Sequence, residues 1–398
     1  MQTTAHKIGT LGLATATVLG LTAFQSAEAA SLYTVTDIGT LSGRENFAHP
    51  PSRINNAGQI VGSSGLRSFD AQLRAFLWDN GVMTDLGSLE GSNSEAFDIN
   101  DFGQVVGHSE INSPDFSSPF PNYTSHAFLW ENGVMTDLGT FGGTNSSANG
   151  INNIGQVVGW AENDRGEERA FLWENGEMFD IGTLGGTTSF ASSINDASQI
   201  VGNAATSSGS NRAFLWENGE MFDLGTLGGT TSFAGDINES GQVVGLAYLR
   251  GEGFFNHHAF LWQDGTMIDL GTLDDLPTSE ALGINNAGQV VGNAYNFNDF
   301  NERKPFLWEN GLMIDINSLI PADSGWELLI ALDINDSEQI VGIGRMGDQV
   351  HDVLLTPLSD PTAVPEPLTL LGSATALGFG ALFKREYSKR QKKVKPND

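Results

Sequence analysis

Three short phrases recur along this chain in a fixed order, and this repetition limits the possible folds more than any other feature. The first phrase has the form Asp-(Ile/Leu)-(Gly/Asn)-(Thr/Ser)-(Leu/Phe), with copies that begin at Asp37, Asp85, Asp137, Asp180, Asp223, Asp269 and Asp315. The second has the form Ile-Asn-x-x-(Gly/Ser/Glu)-Gln-(Val/Ile)-Val-Gly, with copies that begin at Ile54, Ile99, Ile151, Ile194, Ile237, Ile284 and Ile334. The third is Phe-Leu-Trp, whose copies end at Trp78, Trp130, Trp173, Trp216, Trp262 and Trp308, with Val353-Leu354-Leu355 as a seventh, degraded copy. The chain is therefore built from seven copies of one unit.

Each unit divides into four short strands separated by turn residues. In the second unit the predicted strands are Ala96–Asn100, Gln104–His108, His126–Trp130 and Met135–Thr140. Asn132-Gly133 joins the last two, and Asn-Gly is favoured in two-residue hairpin turns because these turns need positive φ. Four strands in each of seven units predict an all-β, seven-bladed β-propeller. A solenoid is the competing architecture, but second phrases spaced 43 to 52 residues apart suit strict stacking poorly.

The two ends of the repeat region predict how the ring closes. Tyr33–Leu41 has the pattern of a fourth strand without the other three. The last repeat supplies only three strands, Leu332–Ile334, Gln339–Ile343 and His351–Thr356. We therefore expect the N-terminal strand to complete the last blade, which removes the open edges of the ring.

Both ends of the chain have the pattern of targeting segments. Residues 1–29 form a predicted signal peptide, in which a weakly basic start and an apolar run are followed by Ala27-Glu28-Ala29. At the other end, Pro365-Glu366-Pro367 precedes sixteen mostly apolar residues and a basic cluster. Sixteen residues rise only about 24 Å as a helix, which makes a short membrane segment. We expect a signal peptide at 1–29, the propeller at 30–360 and a sorting tail at 361–398.

The tail resembles the PEP-CTERM sorting signal of Gram-negative bacteria. The resemblance implies an exosortase-type transpeptidase as a partner, transient membrane anchoring, and a final location at the cell surface or in the extracellular matrix. Genomes with this signal usually also encode exopolysaccharide synthesis. A plain C-terminal membrane anchor is the alternative.

The repeats resemble the extracellular HAF repeat family, named for a His-Ala-Phe triplet. The triplet is present as His126-Ala127-Phe128 and His258-Ala259-Phe260, and the other copies carry arginine or lysine in place of the histidine or depart further. The resemblance covers about residues 33–358. It implies a secreted repeat protein and no particular reaction.

Charge excludes one class of partner. Residues 30–364 hold 11 of the 19 Lys and Arg residues but 44 of the 48 Asp and Glu residues, which gives a formal charge of −33, and Lys304 is their only lysine. Nucleic-acid binding requires basic patches, so this chain is not expected to bind nucleic acid. The absence of cysteine excludes thiolate metal sites and cysteine nucleophiles.

Two repeated positions are interpreted as structural. The residue two before the third-phrase phenylalanine, here called the basic position, is basic in all copies, namely Arg74, His126, Arg169, Arg212, His258, Lys304 and His351. A ring that holds an anion is one hypothesis. The preferred one pairs each base with the Asp on the next strand, because Asp137 should lie opposite Phe128 and so diagonal to His126. The third-phrase tryptophans are expected to pack between blades.

Ligand-binding residues are expected where the repeats differ, in the loops that join strands two and three and in those that join successive blades. Trp160 and Trp326 are the only tryptophans outside the packing position, and aromatic residues of two loops accompany them, Phe116, Tyr123, Phe254 and Phe255. Aromatic side chains beside carboxylates suit carbohydrate, or polymers bridged by cations. Packing of the loops themselves is the alternative.

A channel site is a weaker prediction. The residue before the Ile of the second phrase is Asp98, Asp236 or Asp333 in three units and Arg53 in another. If the first strand of each blade is innermost, these side chains approach the channel, where clustered oxygens suit Ca²⁺. The chain lacks an Asp-x-Asp-x-Asp-Gly loop.

Three functional classes follow from these observations. The first is a non-catalytic surface or matrix binding module, with exopolysaccharide as the candidate ligand. The second is a propeller enzyme, a glycan lyase or hydrolase at the channel mouth, for which His108 is the candidate acid or base. The third is a purely structural surface protein.

Overall fold

The computed structural model describes residues 33–42, 51–65, 72–111, 124–251, 256–274, 276–297 and 299–358. The predicted signal peptide, the sorting motif Pro365-Glu366-Pro367, and the loop aromatics Phe116, Tyr123, Phe254 and Phe255 lie outside these ranges. Within them, no helix combines the length and the apolar character needed to cross a bilayer.

Seven four-stranded antiparallel sheets form the blades of a β-propeller, as the repeats predict. Blades 1 to 3 are β2–β5 (Pro51–Ile54, Ile60–Gly65, Leu73–Asp79, Val82–Asp85), β6–β9 (Ser94–Ile99, Val105–Glu110, Ser125–Glu131, Val134–Gly139) and β10–β13 (Gly142–Ile151, Val157–Asn163, Glu168–Glu174, Glu177–Asp180). Blades 4 to 6 are β14–β17 (Gly185–Ile194, Ile200–Thr206, Asn211–Glu217, Glu220–Asp223), β18–β21 (Gly228–Ile237, Val243–Leu249, His257–Gln263, Thr266–Gly271) and β22–β25 (Thr278–Ile284, Val290–Asn296, Asp299–Glu309, Leu312–Asp315). Blade 7 contains β26–β28 (Trp326–Ile334, Ile340–Met346, Gln349–Pro357) and β1 (Tyr33–Asp37), and a 3₁₀ helix, Ile316–Leu319, precedes it.

The ring closes as predicted, because the N-terminal strand is the outermost strand of the last blade. β1 pairs with β28 in antiparallel register, from Tyr33 opposite Pro357 to Asp37 opposite Val353. β1 ends earlier than the predicted Leu41. The Asp37 carboxylate accepts a hydrogen bond from the Gly39 N–H at 2.8 Å, and Gly39 has φ of 75°, so the chain turns there.

Apolar clusters between neighbouring blades form the core. One such cluster joins Val106 and Ala127 of blade 2 to Val157 and Phe171 of blade 3, and Trp173 packs against it. The third-phrase phenylalanines Phe76, Phe128, Phe171, Phe214, Phe260 and Phe306 are fully buried. The six third-phrase tryptophans each pack against a cluster of this kind, which confirms their predicted structural role.

The glycine that ends the second phrase allows the two inner strands to approach closely. In blade 2, a β-bulge between Ala96 and Asp98 brings the Glu95 carbonyl oxygen against Gly107. A Cβ atom at Gly107 would overlap that oxygen, and the same holds for the Gly159 position of blade 3. This position therefore requires glycine for space.

An asparagine from each blade forms a closed ring of hydrogen bonds around the channel. The Nδ2 group of each donates to the main-chain carbonyl of the corresponding asparagine in the next blade, at 3.0–3.2 Å. These asparagines, here called the inner ring, are 1–4% exposed and comprise Asn55, Asn100, Asn152, Asn195, Asn238, Asn285 and Asn335. The ring closes where Asn335 of blade 7 donates to Asn55 of blade 1.

The inner-ring amides are also fully bonded within their own turns. In blade 6, Asn285 Oδ1 accepts from the Gln289 N–H at 3.0 Å, and Asn285 Nδ2 donates to Gln289 Oε1 at 2.7 Å. The same two bonds recur in all seven blades. Each of these asparagines thus stabilises its own turn, and the bond to the next blade was not anticipated from the sequence.

We expect Asn285→Ala to lower the free energy of unfolding by about 3 kcal/mol, because it removes three hydrogen bonds in a buried position and takes away the partners of the Gln289 N–H and of Gln289 Oε1. The adjacent Asn286 is exposed and bonds to Asp336 in an outer, solvent-facing ring. Asn286→Ala is the matched control and should cost about 1 kcal/mol or less. Urea unfolding of both variants measures the difference. Equal losses would show that the inner ring has no special role.

Candidate functional site

The central channel contains a group of charged side chains from four blades. Arg53 of blade 1 reaches across the channel, and its guanidinium lies 3.5 Å from Asp333 Oδ1 and 3.9 Å from Asp236 Oδ1. Arg53 also donates to the Leu282 carbonyl oxygen at 3.1 Å. Asp98 lines the same cavity of about 160 Å³ and interacts electrostatically with Arg53. The sequence prediction that these four side chains approach the channel is confirmed.

The three aspartates also join neighbouring blades. Each accepts a main-chain N–H bond from the next blade: Asp98 from Ile151 at 2.8 Å, Asp236 from Ile284 at 3.1 Å and Asp333 from Ile54 at 3.0 Å. Among the described residues, no group of three or more His, Cys, Asp or Glu side chains is placed to hold a metal ion. Arg53 and backbone N–H groups contact the carboxylates of Asp98, Asp236 and Asp333, which the sequence suggested as calcium ligands.

Burial dominates the ionisation of this cluster. Desolvation raises the pKa of Asp98 to about 6, although Arg53 and two backbone N–H groups oppose the shift. Desolvation likewise raises the pKa of Asp333 to about 7, against the attraction of Arg53. The pKa of Arg53 is raised by Asp236, Asp333 and Asp98 despite its own burial, so the guanidinium stays charged.

The basic positions pair with the Asp of the outer strand. Phe128 lies opposite Asp137 as predicted, and His126 Nδ1 is 2.8 Å from Asp137 Oδ2. Corresponding pairs, at 2.9–3.9 Å, join Arg169 to Asp180, His258 to Asp269, Lys304 to Asp315 and His351 to Asp37. In these five blades the structural interpretation is confirmed. Arg74 and Arg212 have buried guanidinium nitrogens with no hydrogen-bond partner among the described residues.

A cavity of about 410 Å³ lies between blades 2 and 3 and is here called the blade 2–3 cavity. Two aromatic side chains, Phe97 and Trp160, line it together with His108. The rest of the lining is polar and uncharged, and consists of Ser125, Asn145, Ser146, Ser147 and Asn149. The Trp160 ring contacts that of Phe190 in blade 4 edge-on, with the ring centroids 6.0 Å apart, and the indole is half-buried.

His108 is held on one side of this cavity. Its ring lies 5.2 Å from that of Phe97, and Nε2 is 3.9 Å from Glu95 Oε1. Desolvation lowers the pKa of His108, against the opposing effects of Glu95 and Glu110. The imidazole is therefore neutral at pH 7, and its ring nitrogens can donate or accept hydrogen bonds.

A larger cavity, of about 660 Å³, lies between blades 6 and 7 and is here called the blade 6–7 cavity. Trp326 lines it, and the indole contacts the His351 ring edge-on, with the ring centroids 5.3 Å apart. Apolar residues Leu276, Pro277, Ile320 and Pro321 line one part, and charged residues Asp274, Glu302, Arg303, Lys304, Asp315 and Glu327 line another. Both this cavity and the blade 2–3 cavity lie towards the loops that differ among the repeats.

The structure thus places the predicted ligand residues in separate sites. Trp160 and Trp326 line different cavities, whereas Asp98, Asp236 and Asp333 meet at the channel. Sequence analysis did not select Phe97 or Arg303. The sequence did contain a signal that His108 and Trp160 occupy equivalent positions in neighbouring blades. Each directly follows the final glycine of the second phrase, where other blades carry Ser63, Asn203, Leu246, Asn293 and Ile343.

No protein-family model and no curated protein matches the chain. Similar solved structures include TolB from Acinetobacter baumannii, with 12% identity, a TM-score of 0.40 and coverage of 76% of this chain and 64% of that one. A puromycin-hydrolyzing peptidase of Mycobacterium tuberculosis has 14% identity, a TM-score of 0.43 and coverage of 86% and 54%. The sialidase of Trypanosoma rangeli has 10% identity, a TM-score of 0.37 and coverage of 77% and 53%. The chain spans about half to two thirds of the length of these proteins, and similarities this low assign no function.

We expect Arg53→Met to lower the free energy of unfolding by about 3–5 kcal/mol at pH 8, because it removes the cation from a buried cluster of three carboxyl groups. The folded-state pKa values of Asp98 and Asp333 are raised, so the stability these groups contribute at low pH is lost as pH rises through 6 to 7. Without Arg53 the penalty for ionising them grows. The loss should therefore be smaller at pH 5, where both are largely protonated.

Arg345→Met is the matched control for this substitution, because Arg345 pairs with Glu327 at the surface and both side chains are about half exposed. Its effect should stay below about 1 kcal/mol at both pH values. Urea unfolding at pH 5 and pH 8 measures the loss in free energy of unfolding for both variants at both pH values. A loss for Arg53→Met that is independent of pH would contradict the assigned ionisation of the channel.

Proposed function

We propose that this protein is an extracellular, non-catalytic binding propeller that recognises polysaccharide through the blade 2–3 and blade 6–7 cavities. One observation carries the proposal: the only two tryptophans outside the packing position, Trp160 and Trp326, each line a cavity between blades. The other six tryptophans are used in the core. Trp326 also packs in part against the core cluster between blades 6 and 7. Both indoles nevertheless line a cavity, where part of each ring can meet a ligand.

The chemistry of the two cavities suits sugar rings. An indole offers a flat apolar surface to the C–H face of a sugar, and its N–H remains a donor. The blade 2–3 cavity adds neutral amides, hydroxyls and the imidazole of His108, which match sugar hydroxyl groups. Volumes of about 410 and 660 Å³ fall in the range of small-ligand sites.

The proposed location rests on sequence. The predicted signal peptide at 1–29 supports export, and the tripartite tail with Pro365-Glu366-Pro367 supports sorting by an exosortase-type transpeptidase. A protein sorted in this way meets exopolysaccharide at the cell surface or in the matrix. That polymer is therefore the first ligand to test.

We expect Trp160→Ala and Trp326→Ala each to weaken binding to the producing organism's own exopolysaccharide by about tenfold, equivalent to about 1.4 kcal/mol of lost stacking. The double variant should show no saturable binding. Phe102→Ala is the control, because Phe102 is 75% exposed in a turn between first and second strands, at the opposite end of the blades. Biolayer interferometry on polymer-coated sensors measures these four variants and the unmodified protein, with urea midpoints as the check on folding.

Undiminished binding by the double variant would contradict the proposal. Absence of saturable binding by the unmodified protein would contradict it as well and would favour a structural surface protein. Repeating the assay with Ca²⁺ and with chelator shows whether a cation bridges the polymer to the acidic surface.

A propeller enzyme is the second candidate, and the approach of His108 Nε2 to Glu95 Oε1 at 3.9 Å within a cavity favours it. A neutral imidazole beside a carboxylate can act as an acid–base pair on a glycan. Under the binding proposal, size-exclusion chromatography after long incubation should show polymer of unchanged length. Polymer shortening that His108→Ala abolishes would replace the binding proposal with the enzyme.

A further inference from the structure

Cations are scarce in this propeller, and two of them line one cavity. Residues 30–364 carry a formal charge of −33 with Lys304 as their only lysine. Lys304 and its neighbour Arg303 both line the blade 6–7 cavity. The described residues that line the blade 2–3 cavity include no lysine or arginine, and the lowered pKa of His108 leaves its imidazole neutral. The two cavities therefore differ in the charge they can offer a ligand.

Arg303 is held in place by an aromatic ring. Its guanidinium lies over the Tyr295 ring, 5.0 Å from the centroid. Tyr295 is only 6% exposed, and its hydroxyl lies 3.1 Å from His257 Nε2 and 3.4 Å from Glu280 Oε2. Across the described part of the chain, the Arg303 guanidinium makes no hydrogen bond to the protein. A cation–π contact fixes its position without using its N–H groups.

The carboxylates around the cavity already have partners. Lys304 Nζ lies 2.5 Å from Asp274 Oδ2 and 3.9 Å from Asp315 Oδ2. Glu327 pairs with Arg345, and Glu302 accepts a hydrogen bond from Asn296 at 2.8 Å. Glu280 accepts from Tyr295, and its attraction to Arg303 opposes the rise that burial causes in the Glu280 pKa. Among the described residues of this cavity, Arg303 is thus the cation whose N–H groups make no hydrogen bond to the protein.

From this arrangement we infer that the blade 6–7 cavity binds an acidic sugar residue, a uronate, whose carboxylate Arg303 takes in two parallel N–H···O bonds. Trp326 lies in the same cavity and provides the flat surface for the ring. Planar guanidinium and carboxylate groups match in geometry, which gives specificity as well as affinity. The inference rests on the proposed function and adds the ligand class: a polymer with neutral residues for the blade 2–3 cavity and acidic residues for this one.

The test compares oligomers of glucuronic, galacturonic and mannuronic acid with their methyl esters, using isothermal titration calorimetry on the purified full-length protein. At least one acid should bind about tenfold more tightly than its ester, as expected for a charged hydrogen-bond pair. Arg303→Gln should remove that difference and leave the affinity for the ester unchanged. Trp326→Ala should weaken the binding of both forms.

Arg165→Gln is the matched control, since Arg165 is an exposed arginine in a blade 3 loop and its loss changes the net charge equally. It should preserve the preference for the acid. Equal affinities for every acid and its ester, or a preference that Arg303→Gln leaves intact, would overturn the inference. So would failure of all the oligomers to bind. In each case exopolysaccharide binding that depends on Trp160 would still stand, which separates this result from failure of the proposed function.

Discussion

The inner ring of asparagines is the interaction on which the rest of this structure depends. Each amide ties its own turn through the Gln four residues later and simultaneously bonds to the backbone of the next blade. Every donor and acceptor of the amide is used while the side chain is almost fully buried. A satisfied polar network in a buried position fixes geometry strongly, because any displacement leaves groups without partners. The relative placement of all seven blades follows from it.

Two sets of contacts close the propeller ring, one beside the channel and one at its outer edge. Asn335 bonds to Asn55 beside the channel, and β1 pairs with β28 at the outer edge of blade 7. Arg53 adds a third tie between blade 1 and blades 5, 6 and 7. With the inner edge fixed in this way, the channel holds charged side chains in defined contacts. These side chains therefore hold the blades together. The cavities that we propose for ligands lie instead at the interfaces between neighbouring blades, here called seams.

The seams vary although the blades repeat, and the position directly after the second-phrase glycine shows how. In blade 6 that residue is Asn293, which exchanges two hydrogen bonds with the Ala331 backbone of blade 7. In blades 2 and 3 it is His108 and Trp160, whose rings line the blade 2–3 cavity. The same backbone position thus ties one seam and lines a cavity at another. Side-chain choice at one site per repeat can change a blade seam without disturbing the ring.

Much of the fold was predictable because its signals are local and repeated. Strand number, the Asn132-Gly133 turn, the Asp137–Phe128 register and closure by the N-terminal strand all follow from spacing within or between units. The candidate sites were only partly predictable. The sequence placed Asp98, Asp236 and Asp333 at the channel, yet it could not show that Arg53 crosses to them. It flagged His108 and Trp160 separately, because contacts between blades depend on rotations that no single repeat encodes.

We propose that ligands bind between blades on the face where the repeats differ, and that the opposite face is structural. Hydrogen–deuterium exchange with and without exopolysaccharide fragments tests it across the whole propeller. Binding in the two cavities should protect only peptides containing β7 and β11 around the blade 2–3 cavity and β24 and β26 around the blade 6–7 cavity. Protection in the turns that carry Asn56, Asp101 and Asp336, at the opposite end of the blades, would contradict it.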